Sequence, residues 1–436
     1  MENGKLSEIL NSYNRFWTTG RIDTGIPRDL LARCIRQLDK KEAILLKGVR
    51  RSGKSTLMAQ MIGALLANGK KPAQVLRVNL EEPLFAAEYS IELLERIYRF
   101  YREKINPSGR CYLFLDEIQN IPEWERWVRG RGETEDLKIV ITGSSSRLLS
   151  REVGARLTGR HVSFELFPLS FAEFLRFKGL HIGSIEAYFG QKPLIRSLFA
   201  EYRKYGGFPE VVLRDETEDK ELLLKQYFED ILHRDVVSRT EIRDTLTLQN
   251  LAVFLMSNIG RLTSVSNLKK NFGVSQDKVE NYASALMECY LLYRLPKLEP
   301  SMKKSIRARF KPYAIDTGLR NRVAFSFSED SGWLAENIVL NHLRSRHEEI
   351  YYESNGGEVD FVVREGTNIT RSIQVWYADA AETETPEREF AAFKIKDRAA
   401  AKRECFLITN DVTRTVKAGG TQIQCVPLVL FLLDLQ

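Results

Sequence analysis

The chain has 436 residues, 43% hydrophobic and 28% charged, which is long enough for two to four globular domains with sizeable cores. Its 65 Lys and Arg residues outnumber its 58 Asp and Glu residues, and the net charge of +7 permits an anionic partner without requiring one. The five dispersed cysteines exclude a disulfide framework or zinc site, and no segment reaches the roughly 18 to 20 apolar residues that span a bilayer, so we expect a soluble, cytoplasmic protein.

The first motif along the chain is a phosphate-binding loop. The stretch GVRRSGKST, residues 48–56, has the form G-x-x-x-x-G-K-[ST], and it lies between an apolar strand pattern and a helical pattern, as this motif requires. The glycines let backbone N–H groups surround phosphate oxygens, while Lys54 is placed to reach the β- and γ-phosphates and Ser55 to ligate Mg²⁺. We therefore predict that ATP and Mg²⁺ bind at the loop residues Gly48, Arg50, Arg51, Ser52, Gly53, Lys54, Ser55 and Thr56.

An acidic pair follows a later buried strand. Residues 112–115 predict this strand, which ends at Asp116 and Glu117, and in parallel sheets ligands bind beyond the carboxyl ends of the strands. Asp116 is placed to hold Mg²⁺ through water, and Glu117 to polarise the attacking water. A further strand pattern, residues 75–80, lies between the loop and the pair, which is typical of the P-loop subclass with an additional catalytic glutamate.

Candidate contacts to the γ-phosphate follow the next strand pattern, KIVITG. Ser144 and Ser145 come directly after it, and either can sense the γ-phosphate or position the water; ordinary turn chemistry is the alternative. Among the arginines that follow, Arg156 or Arg160 can meet the charge that develops in phosphoryl transfer, often from a neighbouring subunit. Surface positions without a catalytic role are the alternative for both arginines.

Several segments together resemble a known family. GVRRSGKST, LFLDEIQNIPEWERWVRG, VITGSSSRLLS, LTGRHVSFELFPLSFAEFL and YGGFPEVV are similar to the AAA+-like archaeal-type P-loop ATPases of archaea and bacteria. The resemblance covers nearly the whole chain and implies an α/β ATPase core with a parallel sheet, a helical lid and assembly into homo-oligomers. It includes the double arginine of the loop, but Arg50 and Arg51 can brace the loop against either acidic neighbours or a partner subunit.

The chain divides into five predicted parts: an N-terminal segment packing on the core (1–40), a P-loop ATPase core (41–168), a helical lid (169–245), a winged helix (246–325) and an endonuclease-like domain (326–436). In the winged helix, Ser275 is a plausible N-cap of the last helix, whose exposed face is polar and acidic instead of basic. Recognition of a DNA groove by that helix is therefore doubtful.

A basic stretch, residues 301–320, follows that helix. Its alternation of polar and apolar residues predicts a hairpin with one basic face, the wing, which can follow a phosphate backbone without contacting bases. An edge strand protected from aggregation by its charges is the alternative. The predicted nucleic-acid contacts are Lys303, Lys304, Arg307, Arg309 and Lys311.

The last part of the chain resembles the restriction-endonuclease-like fold. Active members of that fold hold Mg²⁺ with an acidic residue on the first helix, an Asp in a strand and a [DE]-x-Lys triplet. Glu336 and Asp360 match the first two positions, but the triplet position is occupied by Gln374, Val375 and Trp376. Because a carboxylate and the lysine are missing, we expect a degenerate domain without nuclease activity.

These patterns predict an oligomeric AAA+-like ATPase that couples ATP hydrolysis to DNA binding and to remodelling or translocation of DNA, including branched forms. The alternative is a nucleotide-dependent switch that assembles and recruits a protein partner through its C-terminal domains, without DNA activity. A steep salt dependence of binding distinguishes phosphate contacts from a protein interface. An ATP-fuelled nuclease is the weakest hypothesis because it needs a displaced lysine, such as Lys394 or Lys396.

Overall fold

The computed structural model describes residues 2–143, 159–239, 242–325, 330–354, 357–377, 389–390, 392–393, 403–418 and 420–435. The chain forms two compact units, of which the N-terminal unit ends at Leu166 and the C-terminal unit begins at Phe167. Among the described helices, none is both long enough and apolar enough to cross a bilayer.

The N-terminal unit is built on a five-stranded sheet in which every pair of neighbours is parallel, with the order β2-β3-β4-β1-β5. Its strands are β1 Ala43–Lys47, β2 Val75–Asn79, β3 Cys111–Asp116, β4 Leu137–Gly143 and β5 His161–Glu165. Its helices are α1 Asn3–Tyr13, α2 Phe16–Thr19, α3 Leu31–Ile35, α4 Lys54–Ala67, α5 Ile91–Lys104 and α6 Trp124–Thr134, with short 3-10 turns at Pro72–Gln74, Pro83–Glu88 and Ile118–Asn120. This architecture confirms the predicted P-loop ATPase core.

Both faces of this sheet are covered, which explains why its strands are almost continuously apolar. Ile44 and Leu46 of β1 pack in one hydrophobic cluster with helix α4, whereas Leu45 packs in the other cluster with residues of α1, α5 and α6. Successive side chains of a strand point to opposite faces, so one short apolar strand contributes to two cores. The sheet is therefore rigid, and its carboxyl edge can position functional residues.

The N-terminal segment covers the outer edge of β2. The side-chain amide of Asn14 donates to the carbonyl of Arg77 at 2.8 Å and accepts from the N–H of Arg77 at 2.7 Å. The indole of Trp17 donates to the carbonyl of Val75 at 2.7 Å. One asparagine thus replaces a neighbouring strand and satisfies backbone groups that an uncovered edge would expose.

The C-terminal unit contains two sheets and a larger set of helices. A two-stranded antiparallel sheet consists of β6 Leu292–Pro296 and β7 Phe310–Ala314. A mixed six-stranded sheet has the order β12-β13-β11-β10-β9-β8. Its strands are β8 Glu349–Glu353, β9 Val359–Glu365, β10 Asn368–Val375, β11 Glu404–Thr409, β12 Arg414–Ala418 and β13 Thr421–Pro427. This sheet confirms the predicted second α/β domain.

Most helices of this unit precede the strands of the six-stranded sheet in the chain. They are α7 Phe171–Phe177, α8 Ile185–Gly190, α9 Lys192–Tyr205, α10 Pro209–Val212, α11 Thr217–Asp230, α12 Thr245–Ser257, α13 Val265–Phe272, α14 Gln276–Glu288, α15 Met302–Arg307, α16 Thr317–Val323, α17 Ser331–Arg344 and α18 Leu428–Leu432. A π-helix, Ile231–Val236, and a 3-10 turn, Val237–Arg239, continue α11.

The helices assigned to the lid share a hydrophobic core with the six-stranded sheet. Phe171 and Phe199 belong to the same buried cluster as Val339 of α17, Ile373 of β10 and Phe431 of α18. This packing joins the first helices after residue 166 to the last part of the chain, a connection that the sequence analysis did not predict. A role for these helices as a cover over the nucleotide stays a prediction.

Helices α12, α13 and α14 followed by the β6–β7 pair have the order of elements of a winged helix. Ser275 caps α14 as predicted, its hydroxyl accepting the N–H of Lys278 at 3.3 Å. Thr263 forms an additional antiparallel bridge to Phe310. The arrangement places the connection between β6 and β7 where a wing is expected.

The basic stretch differs from its prediction in two respects. Residues Met302–Arg307 form a helix instead of a strand, because the hydroxyl of Ser301 accepts the N–H of Lys304 and caps the first turn. The strand begins only at Phe310, and all five of its residues are buried. Lys311 is therefore not part of an exposed basic face, and that prediction is wrong.

Candidate nucleotide site

The phosphate-binding loop joins β1 to α4 through a backbone that only glycine tolerates at two points. Gly48 has φ 144° and Gly53 has φ 96°. A Cβ at residue 48 would overlap the carbonyl oxygen of Leu166, so the loop also passes too close to the end of β5 for any other residue. Arg51 has φ 69°, an uncommon value for a residue with a side chain. These φ values and the close approach to Leu166 restrict the backbone conformations that the loop can adopt.

The loop contains the groups that a triphosphate needs. Lys54 is buried at the start of α4, and its Nζ donates to the carbonyls of Gly48 and Val49 at 3.0 Å each. Ser55 is exposed in the first turn of α4, where its hydroxyl can reach a metal ion. Thr56 beside it is also exposed. An ammonium, the N–H groups of a helix start and a hydroxyl in this order fit ATP with Mg²⁺.

The loop serine Ser52 adds to this fit and shows how the loop is supported. Its Oγ is buried and has no hydrogen-bond partner within the described residues. Its carbonyl accepts a hydrogen bond from Nη1 of the buried Arg28 at 2.7 Å. Gln60 of α4 donates to the carbonyls of Thr24 and Ile26 at 3.0 and 2.8 Å, so the N-terminal segment is attached to the loop helix. The sequence analysis did not identify Arg28 or Gln60, which stand in no known motif.

The acidic pair lies at the same edge of the sheet as the loop, because β1, β3 and β4 are parallel and all end there. Asp116, the last residue of β3, is buried and accepts a hydrogen bond from the hydroxyl of Thr142. The same hydroxyl accepts the backbone N–H of Glu117 at 3.1 Å. Thr142 thus fixes the two acidic residues relative to each other.

Thr142 was missed because the polar contact to the γ-phosphate was predicted two or three positions later in the chain, at Ser144 or Ser145. Ser144 and Ser145 lie outside the described residues, and so does Arg156. The signal that identifies Thr142 is its position as the only hydroxyl inside the apolar strand KIVITG. A polar side chain that interrupts a fully buried strand near its carboxyl end needs a partner, and here the partner is Asp116.

Glu117 is held in a strained conformation. Its φ of 55° is left-handed, which costs roughly 1 kcal/mol for a residue that is not glycine. The amide of Gln119 donates to its carboxylate. The side chain is 8% exposed, so the carboxylate is largely removed from bulk water while it lies at the carboxyl edge of the sheet. A fixed, shielded carboxylate at this place can accept a proton from an attacking water.

Two arginines lie beside these residues. Arg50 of the loop forms an ion pair with Glu81, which follows β2, with 3.0 Å between Nη2 and Oε1. Arg77 of β2 places its Nη2 at 3.6 Å from Oδ2 of Asp116. The pairing of Arg50 agrees with the first of its two predicted roles, bracing the loop against an acidic neighbour.

Arg160 lies at the opposite edge of the sheet. It directly precedes β5, and its side chain forms an ion pair with Glu133 of α6. Strand β1 has five residues, so the two edges are about 15 Å apart. Arg160 therefore does not reach the nucleotide of its own subunit, and its action on a neighbouring subunit stays a prediction.

The nuclease-like carboxylates of the C-terminal unit surround a lysine. Nζ of the buried Lys311 lies 2.6 Å from Glu358 and 3.1 Å from Asp360. Glu336 accepts the hydroxyl hydrogen of Tyr313 at 3.0 Å. The displaced lysines considered from sequence, Lys394 and Lys396, lie outside the described residues. In the described part of the chain, no group of three or more acidic, His or Cys side chains is arranged to hold a metal ion.

Burial and charge determine the protonation of this cluster. Burial alone would lower the pKa of Lys311, but the carboxylates of Asp360, Glu336 and Glu358 outweigh it and raise that pKa. Burial raises the pKa of Glu336 well above its ordinary value, and the neighbouring charge of Asp360 raises it further. Gln374 accepts the N–H of Asp360 at 3.1 Å, so the residue at the acidic triplet position acts here as a hydrogen-bond partner.

The remaining basic residues of the predicted wing are accessible. Lys303, Lys304 and Arg309 are exposed, and Arg307 ends helix α15. Ile306 between them is 63% exposed. The connection between β6 and β7, called the wing connection below, therefore exposes cations together with one large apolar side chain.

Comparison with known proteins gives matches over most of the chain. Residues 40–175 match the family described as AAA domain, and residues 196–330 match a domain of unknown function, DUF8612. An uncharacterized protein of Methanocaldococcus jannaschii is 34% identical over 363 residues, which are 80% of this chain and 78% of the relative. An uncharacterized protein of Haemophilus influenzae is 31% identical over 333 residues, 74% of this chain and 80% of the relative.

Two solved structures are also similar. The Walker-type ATPase of Pyrococcus abyssi aligns with a TM-score of 0.44 and 14% identity over 68% of this chain and 95% of that chain. The ORC1 protein of Aeropyrum pernix in complex with DNA aligns with a TM-score of 0.32 and 14% identity over 67% of this chain and 90% of that chain.

Proposed function

Because the chain belongs to the family of AAA+-like P-loop ATPases, we propose that it hydrolyses ATP to ADP and phosphate and couples this reaction to binding and remodelling of DNA. The observation that carries the ATPase part is the hydrogen-bonded unit of Thr142, Asp116 and Glu117 at the same sheet edge as the loop. A chance acidic pair at a strand end would not need a shared hydroxyl to orient it.

The proposed reaction assigns one task to each group. The loop N–H groups and Lys54 bind the phosphates, and Ser55 and Asp116 would hold Mg²⁺, which neutralises phosphate charge when it is bound. Glu117 accepts a proton from the water that attacks the γ-phosphate, and Gln119 and Thr142 keep its carboxylate and backbone in place. The buried surroundings strengthen each of these electrostatic contacts.

The DNA part of the proposal is supported by the exposed cations of the wing connection. Lys303, Lys304 and Arg309 lie within seven positions of one another on a short helix and the residues after it. Such a group can contact a phosphate backbone, whereas α14 carries a single lysine, Lys278, which is paired with Asp244. Homo-oligomeric assembly, with Arg160 acting on a neighbour, completes this proposal.

The second candidate is a nucleotide-dependent switch that recruits a protein. Ile306 favours it, because a large apolar side chain exposed between Lys304 and Arg309 suits a protein interface better than a phosphate backbone. In that case ATP hydrolysis is slow and independent of nucleic acid.

Steady-state ATP hydrolysis at low salt, measured without DNA and with single-stranded, duplex and branched DNA, tests the proposal. The Glu117→Gln variant is the blank. Stimulation by one form of DNA supports the coupled ATPase and identifies its substrate. ATP hydrolysis that no form of DNA changes contradicts the DNA part and favours the switch, and absence of ATP binding contradicts the whole proposal.

A triple variant with Gln at positions 303, 304 and 309 tests the wing by the salt dependence of DNA binding. Each lost phosphate contact is expected to lower the slope of log affinity against log salt by about one. The matched control replaces Lys40 and Lys41, two exposed lysines of the N-terminal unit, and leaves the slope unchanged. A slope that stays the same in the triple variant places the DNA contact elsewhere.

A further inference from the structure

Arg77 has no task in the reaction described above, yet its position is tightly controlled. Its backbone N–H and carbonyl are both bonded to the side chain of Asn14, at 2.7 and 2.8 Å. From β2 its side chain extends to the carboxyl edge of the sheet, where Nη2 lies 3.6 Å from Oδ2 of Asp116. The backbone of Arg77 is thus fixed, whereas its guanidinium forms a long ion pair with Asp116.

Most of the hydrogen-bonding capacity of this guanidinium is unused. The side chain is 20% exposed, and its Nε has no hydrogen-bond partner within the described residues. A separation of 3.6 Å to Asp116 is too long for a hydrogen bond, although a guanidinium carries five N–H donors. A largely buried arginine with open donors suits a planar anion such as a phosphate group.

A phosphate bound by the loop would lie close to this arginine. Arg50 of the loop pairs with Glu81, two residues after the end of β2, so its side chain extends from the end of β1 toward the end of β2 on the same edge of the sheet. Lys54 would bind the β- and γ-phosphates, and Asp116 would hold the metal ion beside them. A terminal phosphate bound in this way would lie near Asp116, the carboxylate with which the guanidinium of Arg77 pairs.

We infer that Arg77 contacts the γ-phosphate of ATP and makes the site prefer ATP over ADP, an inference that rests on the proposed ATPase function. Without a triphosphate, Arg77 neutralises the buried carboxylate of Asp116. With ATP present, the γ-phosphate is a more highly charged acceptor, so the guanidinium moves to it and Asp116 becomes available to the metal ion. ADP has no phosphate at that place, and Arg77 then stays with Asp116.

This assignment differs from an arginine supplied by a neighbouring subunit. Arg77 acts within its own chain and lies on the loop side of the sheet, whereas Arg160 lies at the other edge. The two arginines are therefore independent, and the contribution of Arg77 does not need assembly.

The test compares the affinities of Arg77→Gln and the wild type for a non-hydrolysable ATP analogue, adenylyl imidodiphosphate, and for ADP, both with Mg²⁺. Loss of one charge-assisted phosphate contact is expected to weaken the analogue about tenfold or more and to leave ADP within about twofold. Arg77→Lys keeps the positive charge and is expected to retain part of the preference. If Arg77→Gln does not fold, Arg77→Lys alone decides, because it must reduce the ratio of the two affinities.

The matched control is Arg110→Gln. Arg110 precedes β3 at the opposite edge of the sheet, where its Nη1 lies 3.7 Å from Asp136, and its Nε also lacks a partner within the described residues. This variant is expected to bind both nucleotides as the wild type does. An Arg77 variant that loses affinity for both nucleotides equally, or for neither, overturns the inference.

The outcome also distinguishes this inference from the proposed function. If the wild type binds Mg²⁺ and ATP and Lys54→Ala does not, the nucleotide site stands, and an unchanged affinity ratio in Arg77→Gln removes only the role of Arg77. If the wild type binds neither nucleotide, both proposals fail.

Discussion

The two units each contain a buried strand carboxylate, Asp116 on β3 and Asp360 on β9, but their surroundings are opposite. Asp116 has a hydroxyl and a loosely paired arginine as neighbours. Asp360 is bonded to the ammonium of Lys311, which is 2% exposed. A buried carboxylate needs a compensating positive charge, and the chain itself supplies it in the C-terminal unit. In the N-terminal unit the compensating arginine pairs with Asp116 only at 3.6 Å, whereas in the C-terminal unit the lysine lies within hydrogen-bond distance of Asp360.

The largest expected effect comes from removing Lys311, the buried cation that compensates the charge of Asp360. Lys311→Met leaves Asp360 and Glu358 without their partner, and breaking a buried ion pair costs about 3 to 5 kcal/mol. Denaturant unfolding of the C-terminal unit measures the loss. ATP binding by the folded variant is expected to stay at the wild-type value. If Lys311→Met is as stable as the wild type, Lys311 is not the compensating charge.

The N-terminal site is tested by changing its base. Glu117→Gln keeps the shape of the side chain and removes its ability to accept a proton, so kcat is expected to fall on the order of a hundredfold or more while ATP affinity changes little. Rapid-quench and binding measurements separate the two quantities. Glu103→Gln, an exposed glutamate in the last turn of α5, is the control. Hydrolysis at the wild-type rate in Glu117→Gln would assign the proton acceptor to another group.

Acid is expected to affect the C-terminal unit through His342. Burial lowers the pKa of this histidine to about 4, below the value of about 6.5 in an unfolded chain. The unfolded state therefore binds the proton first, so this contribution to stability is complete above pH 6.5 and is lost as the pH falls toward 4, up to about 3 kcal/mol. Unfolding curves of His342→Gln are expected to show a weaker pH dependence than the wild type, and those of the exposed His181→Gln the same dependence.

The smallest expected effect concerns the hydroxyl that orients the acidic pair. Thr142→Val keeps the shape but removes both hydrogen bonds, so kcat is expected to fall about tenfold, and Thr142→Ser is expected to restore most of it. If Thr142 had only a structural role, the Val and Ser variants would change stability but would not differ in kcat. An unchanged kcat in Thr142→Val contradicts the positioning role.

The parts of the site that could be predicted from sequence are those formed by adjacent residues. The loop from Gly48 and the pair at Asp116 are local patterns whose chemistry depends on neighbours in the chain. Thr142 and Arg77 are 26 and 39 positions away from Asp116, and only the parallel pairing of the strands brings them to it. The hydroxyl of Thr142 inside an apolar strand indicates that it needs a partner, but nothing along the chain identifies Asp116 as that partner, and no pattern distinguishes Arg77.

The basic stretch, residues 301–320, also shows that local sequence does not determine which residues are brought together by the fold. The alternation of residues 305–310 predicted a strand with one basic face, but most of it lies in or just after a helix capped by Ser301, and the strand that begins at Phe310 is buried on both faces. The position of Lys311 depends on Glu358 and Asp360, which lie more than forty positions later. A buried lysine with two carboxylates cannot be distinguished from an exposed one by its neighbours in sequence.

The close approach of Gly48 to Leu166 has a mechanical consequence. The N–H of Leu166 donates to the carbonyl of Lys47 at 2.8 Å, and the carbonyl of Leu166 leaves no room for a side chain at residue 48. Leu166 is also the last residue of the N-terminal unit, and its carbonyl belongs to the peptide bond that leads to Phe167. The nucleotide loop and the covalent exit from the unit are thus in direct atomic contact. A displacement of the loop at Gly48 pushes on the peptide through which the chain continues, without any intermediate side chain to absorb it.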